Sequence, residues 1–397
     1  MKMTRSRFRL VAPAGAPLPL RAALRALPPA AVEAERAFAQ QLGVRHAAFL
    51  ASGRASLTVL LGAMRGNTRR VEVVIPAYTC FSVPSAVVRA GCTIRLCDVD
   101  PKTLDLDLNA LVRLDLGRAL CVVPSGLYGL PGDLAALETL ARGAGASLID
   151  DAAQCLGATQ GGRRCGTFGD AGFFSLGRGK TITAMGGGIV VTDREDLARR
   201  VEQQVRVLPP PGARAVAAAM AGALAYAALL APSRYWLADR VLDLGGSHFE
   251  PAFPLARLSA FQRRLTARLL PLAESSNAAR RARAAALRAG IDGIEGIEIP
   301  RPLDGAQPVY LRFPILACDR AHRTRLLARL RAVGISASAS YPTPIGDIPG
   351  IARHLAPDQH ACPGAASVAE RILTLPTHAG VTAADVERMI AAVRGHA

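Results

Sequence analysis

The chain has 397 residues, half of them hydrophobic, 5% aromatic and 20% charged, with a formal net charge of +17. This composition provides core for one large domain and a smaller one. The arginines are spread along helical stretches such as 319–331 with few aromatics among them, which argues against a nucleic-acid stacking platform and leaves ordinary solvated faces.

In chain order, the basic run Met1–Leu10 is followed by prolines at 13, 17, 28 and 29, so no signal peptide is expected. Strands are predicted at 71–75, 93–97, 119–123, 147–149, 172–175 and 188–191, several of them continuous apolar runs suited to burial on both faces. Helical patterns at 55–64, 82–89 and 134–143 lie between them. This alternation predicts an α/β sheet covered by helices, with ligands collecting beyond the carboxyl ends of the strands.

The pattern loosens near Leu208, at Pro209-Pro210-Pro211-Gly212. The uncharged run 215–231 follows. With 17 residues, mostly alanine, it is too short to span a bilayer and reads as a buried or interface helix. Peripheral membrane contact, helped by Arg214, Arg234 and Arg240, is the weaker alternative. A Gly245-Gly246 loop leads to a long helical region over 258–289. Beyond it come a strand at 310–316, a helix at 320–333, an extended piece at 335–340, and a last helix capped by Thr382 with Asp385 in its first turn. The division expected is a large domain over 1–257, with 208–250 as an atypical insertion, and a small α+β domain over 258–397.

Eight cysteines fall without C-x-x-C or zinc spacing, which points to a reduced, cytoplasmic protein and no metal site.

Only three lysines occur, Lys2, Lys102 and Lys180, against 45 arginines. Lys102 sits in a polar turn. Lys180 closes Phe173-Phe174-Ser175-Leu176-Gly177-Arg178-Gly179-Lys180, where an amine can lose its proton and form a Schiff base, as a guanidinium cannot. Three further pieces accompany it. Ser52-Gly53-Arg54-Ala55 precedes a helix and can cradle an anion, or serve as a plain N-cap. Asp150-Asp151 ends a buried strand, and the pair can serve a metal, a proton transfer, a cationic ring or a cap. Met185-Gly186-Gly187-Gly188 permits close backbone approach. Anion cradle, carboxylate and lysine in that order suit pyridoxal phosphate.

At these residues the chain resembles the DegT/StrS-type aminotransferases, pyridoxal-phosphate enzymes that act mostly on nucleotide-linked keto-sugars. Ile149-Asp150-Asp151-Ala152-Ala153-Gln154 is similar to the family's E-D-A-A-Q. Gly166-Thr167-Phe168-Gly169-Asp170 through Lys180 is similar to its G-x-x-G-D…F-S-F-x-x-x-K. Ile75-Pro76-Ala77-Tyr78-Thr79, Cys97-Asp98-Val99-Asp100 and Arg371-Ile372-Leu373-Thr374-Leu375-Pro376 match weaker signposts. The resemblance implies a type I aminotransferase-like fold, with a mostly parallel seven-stranded sheet in the large domain, and a homodimer. It implies that Lys180 forms the Schiff base, Asp151 pairs with the ring nitrogen and Gln154 meets the phenolic oxygen. Ser175 and the amides of Gly53, Arg54 and Ala55 would hold the phosphate.

Four departures surround the ring. Gly186 replaces a usual Glu, Thr181 a usual Asn, and Gly126 a usual His. Cys80 replaces the stacking aromatic, leaving Tyr78 or Phe81 as substitutes. A phosphate-reaching Asn of the partner subunit aligns with Leu255 if Arg257 is the family's arginine. The expected reaction is transfer of an amino group, glutamate being the usual donor, to a keto-sugar in polysaccharide or secondary-metabolite synthesis. A non-sugar carbonyl and a non-catalytic relative are the alternatives.

Overall fold

The computed structural model describes residues 9–29, 33–66, 68–238 and 248–395. The Gly245-Gly246 loop, Arg240 and most of the basic N-terminal run lie outside them.

Seven strands build the main sheet: β1 His46–Leu50, β2 Glu72–Pro76, β3 Thr93–Cys97, β4 Ala119–Val122, β5 Ser147–Asp151, β6 Ala171–Ser175 and β7 Gly188–Thr192. Their order is β1-β7-β6-β5-β4-β2-β3. The five strands from β6 to β3 run parallel, whereas β7 is antiparallel to β6 and β1 antiparallel to β7. Val73, Ile75, Ile94, Ile149 and Val190 are buried, as expected for strands with helices on both faces.

Six of these strands match the sequence pattern. β1 is the addition. His-Ala-Ala-Phe-Leu has little β-propensity of its own and becomes a strand by pairing with β7, Ala48 opposite Val190. Helices Ser82–Arg89 and Leu134–Gly143 fall where expected, and the helix expected at 55–64 runs Gly53–Arg65.

A second sheet comprises β8 Ile297–Glu298, β9 Arg312–Ala317 and β10 Ile372–Pro376, all antiparallel, with helix Arg320–Ala332 packed beside it and helix Ala383–Arg394 packed on that helix. The 258–289 region is not one helix. Pro271 interrupts it, giving Ala260–Leu269, a short 3-10 turn and Ala273–Ile291. The 335–340 piece makes isolated bridges, Val11 with Ile335 and Ser338 with Thr374, rather than a strand. The Thr382 cap forms as a capping box with Asp385.

The alanine-rich segment is the helix Ala213–Leu229. It buries Ala223 and Tyr226, and the Tyr226 hydroxyl accepts from the Ala16 amide at 2.8 Å. Among the described residues no helix is long and apolar enough to cross a membrane. All eight cysteines are free thiols.

Candidate active site

Three parallel strands end at one cavity of about 300 Å³. β2 leads to Thr79 and Cys80, β5 ends at Asp151, and β6 ends at Ser175 and leads to Lys180. This is the carboxyl edge of the sheet, where the strand tips leave backbone and side chains facing outward.

The helix Gly53–Arg65 points its N-terminus at the same cavity. Ser52 caps it, its Oγ accepting from the Ala55 amide at 3.1 Å. The first amides of a helix have no intrahelical acceptor, so Gly53 and Arg54 present donors together with the positive end of the helix dipole. Gly53 is needed for close approach: a Cβ there would lie 3.2 Å from Ser175 Cβ and 3.4 Å from its Oγ. Gly188 performs the same service behind it, since its Cβ would come within 2.5 Å of the Ser52 carbonyl. Helix tip and Ser175 hydroxyl thus form a single small anion cradle.

The two aspartates divide their work. Asp150 turns away, accepting from the Gly166 amide. Burial pushes its carboxyl up to about 7, with the Gly166 and Phe168 amides acting in the opposite direction. Asp151 faces the cavity. Burial raises it to about 6, while the Ala153 amide, the Lys180 charge and the Ser125 hydroxyl hold it down. Ser125 Oγ donates to Asp151 Oδ2 at 3.2 Å and accepts from Thr79 Oγ1 at 2.9 Å.

Lys180 is half-buried on the cavity wall. Burial lowers its proton affinity, Cys80 and Asp151 oppose that, and Arg312 adds to it. The amine is therefore poised to lose its proton more readily than an exposed lysine.

Gly53, Arg54, Asp151, Gln154, Ser175 and Lys180 all line the cavity. Gln154 is held from both ends: its Oε1 accepts from the Tyr128 amide at 3.1 Å and its Nε2 reaches the Tyr341 hydroxyl at 3.5 Å. Three expected cofactor residues are not on the wall. Ala55 is buried and its amide is taken by Ser52. Tyr78 is fully buried, its hydroxyl 3.1 Å from that of Tyr128. Phe81 is also buried, and both rings pack against Tyr341, at 6.0 and 5.9 Å between centroids. Cys80 and Tyr341 hold the wall positions instead. Cys80 thus stands on the wall at the position where the resemblance leads one to expect an aromatic.

Sequence reasoning missed His248, Arg312, Ser340 and Tyr341, which the fold brings in from far along the chain. No local pattern marks them. Thr181, the departure after the lysine, is buried with its Oγ1 unpartnered.

A buried carboxylate, a lysine of lowered proton affinity and an anion cradle fit the ring nitrogen, aldehyde and phosphate of pyridoxal phosphate. Fold and site together define an aminotransferase. The profile of the DegT/DnrJ/EryC1/StrS aminotransferase family matches residues 24–394, and the chain belongs to that family. It is 30% identical over 368 residues to a GDP-perosamine synthase of Caulobacter vibrioides, covering 91% of this chain and 88% of that one. Over a shorter stretch of 167 residues, 42% of this chain and 39% of the relative, it is 39% identical to an L-glutamine:2-deoxy-scyllo-inosose aminotransferase of Streptomyces lividus. DesV of S. venezuelae shares the fold with a TM-score of 0.76 and 27% identity, covering 94% of this chain and 93% of that one.

Proposed function

We propose that this aminotransferase uses pyridoxal phosphate to move an amino group from an amino acid to the ketone of a nucleotide-linked sugar. The observation that carries the reading is the convergence of Lys180, Asp151, Ser175 and the Gly53 helix tip on one cavity. The synthase relative, similar over nearly the whole chain, supports the sugar part.

The cofactor supplies an aldehyde that condenses with amines and a ring that withdraws electrons from the bound carbon. Lys180 anchors it. Its amine, of lowered proton affinity, would serve as the base and then the acid that handles the proton of the donor's α-carbon. Asp151 keeps a proton on the ring nitrogen, and Ser125 and Thr79 fix the orientation of its carboxylate. Ser175 with the Gly53 and Arg54 amides binds the phosphate, and Gln154 hydrogen-bonds the phenolic oxygen. Residues 1–257 form the cofactor-holding part and 258–397 a small domain that closes the cavity through Arg312, Ser340 and Tyr341. The working unit is a homodimer in the cytoplasm.

A second reading has its own support. The cyclitol aminotransferase relative favours a ring ketone without a nucleotide and glutamine as donor.

Purified protein supplied with pyridoxal phosphate is expected to turn yellow and to bleach with borohydride, leaving the label on Lys180. Lys180→Ala should fold and stay colourless. A colourless wild type defeats the cofactor reading. Turnover of nucleotide-linked keto-sugars against free ring ketones, with glutamate or glutamine, separates the two acceptor classes.

A further inference from the structure

We propose that Arg312 is the residue that binds the α-carboxylate of the amino donor, an inference that rests on the aminotransferase reading above. The sequence offers 45 arginines and no reason to choose among them. Among the described residues, three arginines line the cavity: Arg54, Arg178 and Arg312. Arg54 is held at the mouth, 3.6 Å from the Glu250 carboxylate and stacked 4.7 Å from the Phe253 ring centre. Arg178 is exposed on the loop between Ser175 and Lys180.

Arg312 stands differently. It opens β9, opposite Pro376, and is half-buried beside Ser340 and Tyr341 on the cavity wall. After burial itself, it is the arginine whose charge lowers the proton affinity of Lys180, and its field also acts on the Tyr128 and Tyr341 hydroxyls. In an α-amino acid the carboxylate hangs on the carbon that carries the amine. A donor whose nitrogen takes over the place of the Lys180 amine therefore brings its carboxylate into the cavity that Arg312 also lines. A guanidinium meets such a carboxylate with two parallel hydrogen bonds.

The surroundings favour an anion there. Behind Arg312 lies Arg280, fully buried, whose guanidinium donates to the Leu311 carbonyl at 2.9 Å, the Thr377 hydroxyl at 3.3 Å and the Gly15 carbonyl. None of these partners is a carboxylate, and its Nε has no partner. Burial first, with Arg283 and Arg312 nearby, lowers Arg280 to about 10. Two neighbouring cations repel, and a carboxylate docked on Arg312 relieves that repulsion.

The test uses the cofactor-loaded protein and 2-oxoglutarate, which keeps the carboxylates of glutamate and lacks the amine. Calorimetry should find its Kd raised roughly 10- to 100-fold in Arg312→Met and partly restored in Arg312→Lys. Binding of GDP should not change. In single turnover, loss of the yellow colour with L-glutamate should slow by a similar factor. With 4-aminobutyrate, the same skeleton without the α-carboxylate, variant and wild type should react alike. Equal slowing with both amines, weakened GDP binding in place of 2-oxoglutarate, or a wild type indifferent to both 2-oxoglutarate and L-glutamate overturns the assignment. A wild type that never turns yellow fails the reading beneath it, whereas a yellow wild type whose Arg312→Met variant binds 2-oxoglutarate unchanged fails this inference alone. Should Arg312→Met not fold, Arg312→Lys decides by raising KM for L-glutamate with kcat nearly kept.

Discussion

Asp151 and Lys180 face one cavity, and each moves the other's proton: the carboxylate holds the amine's proton affinity up, and the ammonium pulls the carboxyl's down. Burial acts on both in the opposite sense and is the larger influence on each. The pair therefore sits nearer to neutrality than two exposed groups would, which suits a lysine that must exchange protons during turnover.

The scarcity of lysine makes this testable directly. In the cofactor-free protein, formaldehyde with a hydride donor should methylate Lys180 faster than the exposed Lys102 at mildly alkaline pH, read by mass spectrometry of the peptides. Asp151→Asn removes one of the groups that, with Cys80, raise the amine's proton affinity and should move Lys180 labelling to still lower pH. Labelling of Lys180 that lags behind Lys102 at every pH would contradict a lowered proton affinity.

In the loaded enzyme, Asp151→Asn should keep the yellow colour and lose about 100-fold or more in the half-reaction with the amino donor, because an amide cannot hold a proton on the ring nitrogen. Ser125→Ala should have a smaller effect in the same direction, since it removes one hydrogen bond to Asp151 and leaves the Ala153 amide in place. Stopped-flow absorbance measures both.

The anion cradle predicts a different pattern. Ser175→Ala should weaken cofactor binding about 10-fold, the loss of one hydrogen bond to a charged group. Gly53→Val should weaken it further, because its Cβ lies 3.2 Å from Ser175 before the branches are added. Both variants should keep normal secondary structure by circular dichroism, and excess cofactor should restore part of the activity.

Much of this site was legible before the fold was known, for a physical reason. Asp151, Ser175 and Lys180 sit at the tips of adjacent parallel strands or just beyond, and such strands are continuous apolar runs that sequence displays plainly. Gly53 is marked by its Ser-Gly cap. The opposite wall left no trace. Arg312 begins an ordinary strand, Tyr341 follows a segment held only by isolated bridges, and neither residue type is unusual where it stands. Tyr78 and Phe81 looked suitable by type and position, but their backbone turns both rings behind the wall onto Tyr341. β1 escaped because its pairing with β7, rather than its composition, makes it a strand.

The atypical helix Ala213–Leu229 is anchored through Tyr226. Tyr226→Phe strands the buried Ala16 amide and should cost about 1–3 kcal/mol in urea unfolding. Ala217→Gln, on the exposed face of the same helix, should change stability by no more than about 0.5 kcal/mol.

His378 sets an acid limit on stability. It is buried, its Nε2 donating to the Ala12 carbonyl at 2.9 Å and its Nδ1 accepting from the Gly380 amide at 3.1 Å, so the fold uses the neutral ring. Burial, with Arg280 and Arg283 nearby, lowers its pKa from 6.5 to about 4, the Ala12 carbonyl opposing this. A group depressed in the folded state contributes stability above its unfolded pKa and loses it as pH falls through the folded value. In that window the unfolded chain takes up a proton that the folded chain refuses. Asp150 and Asp151, raised to about 7 and 6, act in the opposite sense, so the His378 contribution must be isolated by difference. Relative to His378→Gln, wild type should lose roughly 3 kcal/mol of its advantage between pH 6.5 and pH 4, measured by urea unfolding at each pH. A difference between the two proteins that stays constant across that range would show that His378 takes up its proton without leaving the fold.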